Sequence, residues 1–204
     1  MNYLAIDTSG KYLTVVASAG GKTVTRYLPD CALSHSVVLM GEIERALDKA
    51  GLAAKDVDVF ACSVGAGSFT GIRIGVSTVK AFAYALGKKV AGVTTFEVLA
   101  YSVEKRAAKL ALVSARHGNY YVCGFDEDGN VNLPPRFASA NEIRKLSAGY
   151  TLIADEDADG LGAITGDVKL GLKRAIEAKL PFAVADAETL VPLYVKKSQA
   201  EEEA

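Results

Sequence analysis

Residues 65–75 read Gly65-Ala66-Gly67-Ser68-Phe69-Thr70-Gly71-Ile72-Arg73-Ile74-Gly75, with four glycines in eleven positions. An apolar run, residues 57–64, precedes this stretch, and a helical pattern, residues 76–86, follows it. That order predicts a buried strand, a tight loop and a helix. Amides at a helix N-terminus bind anions, so the loop is a candidate phosphate site. It lacks the lysine of a P-loop and the acidic residue of a dinucleotide fingerprint, which makes the glycine pattern a weak signal by itself.

The composition indicates a globular chain. The 204 residues are 50% hydrophobic and 23% charged, with a net charge of −1. This length allows one large domain or two small ones, and the charge lacks the basic excess of proteins that bind nucleic acid unaided. Three widely spaced cysteines favour free thiols in a reducing cytoplasm over a zinc site. Because the chain shows neither a signal peptide nor an apolar run of ~18 residues, we expect a cytoplasmic protein without a membrane span.

Turn signals and periodicity divide the chain into an α/β pattern. Strands are predicted at residues 3–7, 12–18, 22–28, 57–64, 89–93, 110–114, 120–125 and 150–154. Helices are predicted at residues 36–49, 71–86, 96–106, 141–146 and 167–179. No Ser/Gly linker separates the halves, so we expect two packed lobes. These are a first lobe over residues 1–106, a smaller second lobe over residues 107–195, and a flexible tail over residues 196–204.

Asp7, Thr8 and Ser9 end the first strand and enter a turn. Such side chains often satisfy the amides of a turn, and a hairpin turn is one interpretation. The order of strand, Asp, Thr or Ser, turn and strand also resembles the first phosphate loop of the actin, heat-shock-chaperone and sugar-kinase superfamily. In that superfamily an acidic residue helps to hold metal-bound phosphate. The candidate nucleotide or phosphate site is therefore Asp7, Thr8, Ser9, Gly65 and Gly67.

Gly71 and Gly75 align on the second predicted helix, with Ala83 further along the same stripe. A stripe of small residues lets a second element approach the helix closely. That element belongs either to the same chain or to a partner, and the stripe alone does not distinguish the two.

The polar residues predict neither a catalytic group nor a metal site. His35 opens the first helix and is interpreted as a capping or packing residue, and His117 lies in the other half. Ser68 and Thr70 have no neighbouring base to activate them. Arg116, at a turn of the second half, is either a polar turn residue or an anion site.

The combined motifs resemble the TsaB family, also called YeaZ. The resemblance runs from Met1–Asp7 through Ser34-His35-Ser36 and residues 65–75 to Ala115-Arg116, Tyr120-Tyr121 and Pro192–Lys196. Ala66 stands where the family usually has proline, and the second half is shorter than usual in the family. The resemblance implies the two-lobe α/β fold of actin and the sugar kinases, with mixed sheets and helices. It also implies a part in forming N6-threonylcarbamoyladenosine at adenosine 37 of tRNA.

The resemblance further implies partners. TsaB proteins pair with the catalytic subunit TsaD through helices of the first lobe, TsaE joins them in a larger complex, and TsaC supplies threonylcarbamoyl-adenylate. We expect this chain to form that heterodimer, to form a homodimer when alone, and to meet tRNA only through the complex. The expected partner contacts are His35, Val38, Leu39 and Ile43 on the first helix and Gly71, Gly75 and Val79 on the second.

The resemblance also bears on catalysis. TsaD-like proteins carry the metal motif Val-Asn-His-x-x-x-His after the strand that follows the glycine helix. Here that place reads Val93–Leu99, with Thr95 and Leu99 at the histidine positions. Neither side chain replaces an imidazole, and Leu99 has no lone pair to offer a metal. We predict a non-catalytic scaffold or activator subunit that requires no cofactor of its own.

Two other functions stay open. An ATP-dependent phosphotransferase or ATPase would use the candidate phosphate residues with an acid of the second lobe such as Asp155. It would bind ATP or ADP with Mg²⁺ at the lobe cleft or at the subunit junction. A peptidase, suggested by an older "glycoprotease" label of the family, has no recognisable triad in this sequence.

Overall fold

The computed structural model describes residues 1–104, 106–115, 117–158 and 160–196. The strands are β1 (Tyr3–Asp7), β2 (Leu13–Ala19), β3 (Lys22–Leu28), β4 (Val59–Ser63), β5 (Lys89–Val93), β6 (Lys109–Ser114), β7 (Asn119–Phe125), β8 (Val131–Ser139), β9 (Thr151–Ala154) and β10 (Ile164–Thr165). The helices are α1 (His35–Ala50), α2 (Phe69–Leu86), α3 (Thr95–Tyr101), α4 (Ala140–Leu146) and α5 (Val168–Lys179). Arg116, a candidate anion site, and residues 197–204 of the predicted tail lie outside the described residues.

Two mixed sheets carry the fold. The first has the order β3-β2-β1-β4-β5, in which β1 to β3 form an antiparallel meander and β4 and β5 run parallel to β1. The second has the order β10-β9-β6-β7-β8, with β6 to β8 antiparallel and β9 and β10 parallel to β6. The predicted α/β fold with mixed sheets is confirmed. The two halves also share one topology, although their sequences show no clear repeat.

Helices and sheets alternate in layers. The helices α1 and α2 cover one face of the first sheet, where Leu39 and Val79 enter its core. The helices α3 and α5 contribute to a core shared by both sheets, in which Leu99 is fully buried. The helix α4 places Ile143 in a third core on the other face of the second sheet. The middle core joins the two halves without an intervening linker.

Local signals explain the ends of the two helices that position the site. α1 ends at Gly51, which adopts a left-handed φ of 75°. At the start of α2, the Ser68 hydroxyl accepts a hydrogen bond from the Gly71 amide at 3.2 Å. α2 ends at Gly87, with a φ of 62°. Over the residues that the structure describes, no helix is both long and apolar enough to cross a membrane.

The described residues of the second half include no counterpart of α2. In the first half, α2 connects the parallel strands β4 and β5. In the second half, the described residues between β9 and β10 form no helix. The outer helix pair of the first half is therefore not repeated in the second.

Candidate functional site

The β1–β2 loop and the 65–68 loop meet at the start of α2. The Ser68 amide donates to the Ser9 carbonyl oxygen at 2.7 Å. A Cβ placed on Gly67 would lie 2.3 Å from that oxygen, and one placed on Gly71 would lie 2.0 Å from the Thr8 carbonyl oxygen. Only glycine permits two backbone segments to approach this closely. The glycine motif thus makes a contact between two parts of the same chain.

Asp7 ties the β1–β2 loop together from inside. Its Oδ1 accepts hydrogen bonds from the Ser9 amide at 2.9 Å and the Ser9 hydroxyl at 2.7 Å. Its Oδ2 accepts from the Tyr12 hydroxyl at 3.3 Å. Burial raises the pKa of Asp7, while the hydrogen bonds from Ser9 and Tyr12 oppose that rise. His35 joins the same cluster, since its Nε2 donates to the Tyr12 carbonyl oxygen at 2.9 Å.

Thr95 connects α3 to both loops. Its hydroxyl oxygen lies 2.6 Å from the Ala66 carbonyl oxygen, which accepts a hydrogen bond from it. The same oxygen lies 3.0 Å from the Ser9 hydroxyl and 3.0 Å from the Ser63 hydroxyl. The polar groups at this junction therefore satisfy one another inside the chain.

The five predicted phosphate residues are brought together, and four of them, Asp7, Thr8, Ser9 and Gly65, are buried. Asp7, Thr8 and Ser9 are each at most 1% exposed. A Cβ on Gly65 would lie 2.8 Å from the Leu193 carbonyl oxygen, so the C-terminal segment covers the loop from the other side. A phosphate would have to displace neighbouring groups to contact the side chains of Asp7, Thr8 and Ser9. Their role in nucleotide binding stays a prediction.

The residues present do not fit a metal centre on α3. Thr95 is engaged with hydroxyl and carbonyl partners, and Leu99, one helical turn later, is fully buried in the shared apolar core. The described part of the chain contains no group of three or more His, Cys, Asp or Glu side chains that could hold a metal ion. The donor set at this place is a hydroxyl and an alkyl group, which is not a ligand set for iron or zinc.

The structure buries most of the predicted partner contacts within the chain. Gly75 faces Thr8, since a Cβ added to it would lie 2.7 Å from the Thr8 hydroxyl oxygen. Six of the predicted contacts are buried and pack against the chain's own first sheet and β1–β2 loop: His35, Leu39, Ile43, Gly71, Gly75 and Val79. Val38 is partly exposed. The stripe of small residues serves internal packing.

A different set of residues faces outward from the two helices. Leu33 is 102% exposed, Val37 80% and Met40 55%, and Tyr84 on α2 is 90% exposed. We call the exposed residues Leu33, Val37, Met40, Ser77, Ala81 and Tyr84 the outer helix face. The signal for it in the sequence is a second apolar series, Leu33, Val37 and Met40, which begins just before the first helix and is spaced four and then three residues apart.

Two neighbouring acidic residues, Asp155 and Glu156, lie where the two halves meet. Lys11 of the β1–β2 turn forms an ion pair of 2.5 Å with Glu156, which follows β9. Next to it, Asp155 accepts a hydrogen bond from the Ser114 amide at 3.1 Å. Burial raises the pKa of Asp155 to about 7. Asp155, the candidate acid of an ATPase, thus lies near the β1–β2 turn, within electrostatic reach of Tyr12.

Comparison with known sequences identifies relatives that are named for the formation of threonylcarbamoyladenosine in tRNA. The sequence model of the family described as TsaD, tRNA N6-adenosine threonylcarbamoyltransferase, matches residues 28–147. The tRNA threonylcarbamoyladenosine biosynthesis protein TsaB of Bacillus subtilis (strain 168) is 30% identical over 122 residues, which are 59% of this chain and 53% of that protein. TsaB of Escherichia coli (strain K12) is 29% identical over 133 residues, 64% of this chain and 57% of that protein. The chain spans about half the length of the curated relatives it matches.

Solved structures share the fold. The structure of YeaZ from Pseudomonas aeruginosa superimposes with a TM-score of 0.76 over 95% of this chain and 99% of that chain. A structure from the same organism, described as an uncharacterized protein with similarity to peptidase YEAZ, gives a TM-score of 0.77 over 96% of this chain and 99% of that chain. Both are 22% identical to this sequence, so the likeness establishes the fold alone. The chemistry of the site has to be argued from the residues of this chain.

Proposed function

The chain belongs to the TsaD family of tRNA N6-adenosine threonylcarbamoyltransferase, and we propose that it is a non-catalytic subunit in the formation of threonylcarbamoyladenosine in tRNA. Its TsaB relatives are named for this process. In this role the chain binds and activates a catalytic TsaD protein, which transfers the threonylcarbamoyl group to adenosine. TsaE joins the larger complex, and tRNA contacts this chain only through that complex.

The chemistry of α3 supports the non-catalytic role. The resemblance places histidines of catalytic relatives at the positions of Thr95 and Leu99. Here the Thr95 hydroxyl bonds to the Ala66 carbonyl oxygen, and Leu99 fills the core between the sheets. A metal-dependent transfer would therefore depend on ligands from another subunit.

The observation that carries the proposed partnership is the outer helix face. Three of its large apolar side chains, Leu33, Val37 and Tyr84, are at least 80% exposed. Exposed apolar clusters of this kind mark surfaces that bind other proteins. Because this chain and TsaD belong to one family, the equivalent helices of TsaD offer a related surface. A second copy of this chain would pair through the same face when TsaD is absent.

Reconstitution tests the proposed function. Threonylcarbamoyl transfer to tRNA would be measured with TsaC, TsaD and TsaE, with and without this chain. We expect activity to require the chain, and we expect the chain without TsaD to show none. Full activity in its absence, or modification of tRNA by the chain without TsaD, would contradict the proposal.

A matched pair of variants tests the surface. Met40 on the outer helix face and Val131 on β8 are both 55% exposed. We expect Met40→Asp to weaken TsaD binding by at least about 10-fold, because it places a charge in an apolar contact. Val131→Asp makes a similar change at a distant site and should leave binding unchanged. Titration calorimetry of each variant against TsaD makes the comparison, and equal affinities for the two variants would remove the outer helix face from the interface.

We also propose that the chain needs no cofactor and acts in the cytoplasm. The absence of a cofactor is supported by Asp7, whose carboxylate already accepts hydrogen bonds from Ser9 and Tyr12. The cytoplasmic location is supported by Cys31, Cys62 and Cys123, which are free and buried thiols. Calorimetry with ATP and Mg²⁺ tests the first point. Micromolar binding that Asp7→Asn abolishes would instead favour the ATPase or phosphotransferase, with nucleotide at the cleft. Binding that appears only with TsaD present would place the nucleotide at the subunit junction.

A further inference from the structure

Arg73 lies on the first turns of α2, and aromatic side chains hold its guanidinium in place. The guanidinium carbon lies 3.8 Å from the centroid of the Phe69 ring. Its Nε donates to the Tyr194 hydroxyl at 2.9 Å, and the Phe69 and Tyr194 rings stack with centroids 4.5 Å apart. Arg73 therefore has one preferred position although its side chain is exposed.

The C-terminal segment maintains this arrangement. The Leu193 amide donates to the Val64 carbonyl oxygen at 2.7 Å, beside the glycine loop. This bond places the next residue, Tyr194, over the start of α2. The aromatic support of Arg73 is thus fixed by backbone contacts.

The two terminal amino groups of the Arg73 guanidinium can donate hydrogen bonds to another molecule. Within the described residues no carboxylate pairs with Arg73, whereas Arg26 and Arg45 both pair with Glu42. The Arg73 Nε is occupied by Tyr194, but the two terminal nitrogens form a planar fork of donors. Such a fork matches the two oxygens of a carboxylate.

Arg73 adjoins the outer helix face. It precedes Ser77, Ala81 and Tyr84 along the exposed side of α2. The strands β1, β3, β4 and β5 point in one direction. Because α1 follows β3 and α2 follows β4, both helices begin on the side of the sheet where these strands have their C-terminal ends. Arg73 consequently lies at the end of the outer helix face where Leu33 and Val37 also lie.

We propose that Arg73 is the polar anchor of the outer helix face, where its terminal amines bind an Asp or Glu side chain of the protein that covers this face. The inference rests on the proposed function, which names that protein as TsaD. Because stacking and the Tyr194 hydroxyl already order the side chain, little conformational entropy is lost on binding. Arginine, tyrosine and tryptophan are the residues most often found in binding hot spots.

The test compares three variants in titrations against TsaD at low and high salt. Arg73→Gln should weaken binding by about 10- to 100-fold, the value of a charge-assisted pair, and should reduce its salt dependence. Arg73→Lys keeps the charge without the fork and should fall between Arg73→Gln and the wild type. Arg45→Gln is the matched control, since the Arg45 charge is already paired with Glu42, and it should bind like the wild type.

Thermal unfolding separates anchoring from a purely structural role. A loss of affinity for Arg73→Gln with unchanged salt dependence and a lowered unfolding midpoint would overturn the anchor, as would unchanged affinity. If Arg73→Gln binds TsaD normally but lowers the affinity of the assembled complex for tRNA, the ligand is a phosphate and the proposal is wrong. Met40→Asp distinguishes failure of the Arg73 anchor from failure of the proposed interface. If Met40→Asp abolishes binding and Arg73→Gln does not weaken it, the anchor fails while the proposed interface stands.

Discussion

Replacement of Gly71 by alanine tests whether the glycine motif serves internal packing. The added Cβ would lie 2.0 Å from the Thr8 carbonyl oxygen, whereas ordinary contacts begin at 3.4 Å. The obstacle is backbone, so rotation of a side chain cannot relieve it. The first turn of α2 would have to move away from the β1–β2 loop by more than 1 Å. That movement would also stretch the 2.7 Å hydrogen bond from the Thr8 hydroxyl to the Gly71 carbonyl oxygen.

The expected cost follows from these contacts. Overpacking a well-packed contact costs about 1–3 kcal/mol, and loss of a buried hydrogen bond adds about 1–3 kcal/mol. Alanine is favoured over glycine in a helix by about 1 kcal/mol, which offsets part of that cost. We expect Gly71→Ala to lower the free energy of unfolding by about 3 kcal/mol. For a chain of this size that corresponds to a fall of about 6–12 °C in the unfolding midpoint.

Gly41 provides the matched control. It lies within α1, and a Cβ placed on it would meet only the Arg45 guanidinium at 3.6 Å. Gly41→Ala should therefore raise stability by up to about 1 kcal/mol through helix propensity. The sequence contains no tryptophan, so urea unfolding would be followed by far-ultraviolet circular dichroism. If Gly71→Ala proves as stable as Gly41→Ala, the close contact between α2 and the β1–β2 loop does not exist as described.

Three further predictions concern Gly75, Thr95 and Asp155. Gly75→Arg should unfold the first half rather than only release a partner, because Gly75 faces Thr8, and a folded monomer by circular dichroism would contradict this. Thr95→Val should cost about 1–3 kcal/mol in urea unfolding, since the Ala66 carbonyl oxygen loses its donor, and an unchanged midpoint would oppose that account. Burial raises the pKa of Asp155 to about 7, above the value of about 4 in an unfolded chain. The protonated carboxyl therefore contributes fully to stability below about pH 4, and this contribution is lost as the pH rises through 7. Asp155→Asn, which keeps an oxygen for the Ser114 amide, should match the wild type at low pH and exceed its stability by up to about 4 kcal/mol above pH 7, and parallel pH profiles of the urea midpoint would refute the shift.

Local signals in the sequence were sufficient for most helices and strands. Gly51 and Gly87 mark the ends of α1 and α2 because a left-handed residue after a helix favours glycine. The strand β8 is not among the predicted strands, because Pro134 and Pro135 argue against a strand. It forms at the edge of the second sheet, where the missing amide donors are tolerated. The predicted helix over 96–106 ends at Tyr101 in the structure, where Ser102 closes it by donating to the Leu99 carbonyl oxygen.

The orientation of α1 could not be predicted from periodicity. The helix carries one apolar series through Leu39 and Ile43 and another through Val37 and Met40. Both have helical spacing, and either could face a sheet. Packing against the first sheet buries Leu39 and Ile43 and leaves Val37 and Met40 exposed. Leu39 and Ile43, two of the predicted partner contacts, therefore face the sheet.

In the glycine motif too, the sequence determines the local structure and the tertiary fold decides what the motif contacts. Local chemistry accounts for a tight loop followed by a helix, because glycines permit positive φ angles and Ser68 caps α2. Sequence alone left three occupants possible for the space beside Gly67 and Gly71: a phosphate, a partner or the chain itself. The fold brings the Thr8 and Ser9 carbonyl oxygens into that space. Residues separated by some 60 positions meet there only because β1 and β4 are neighbours in the sheet, and no local pattern contains that information.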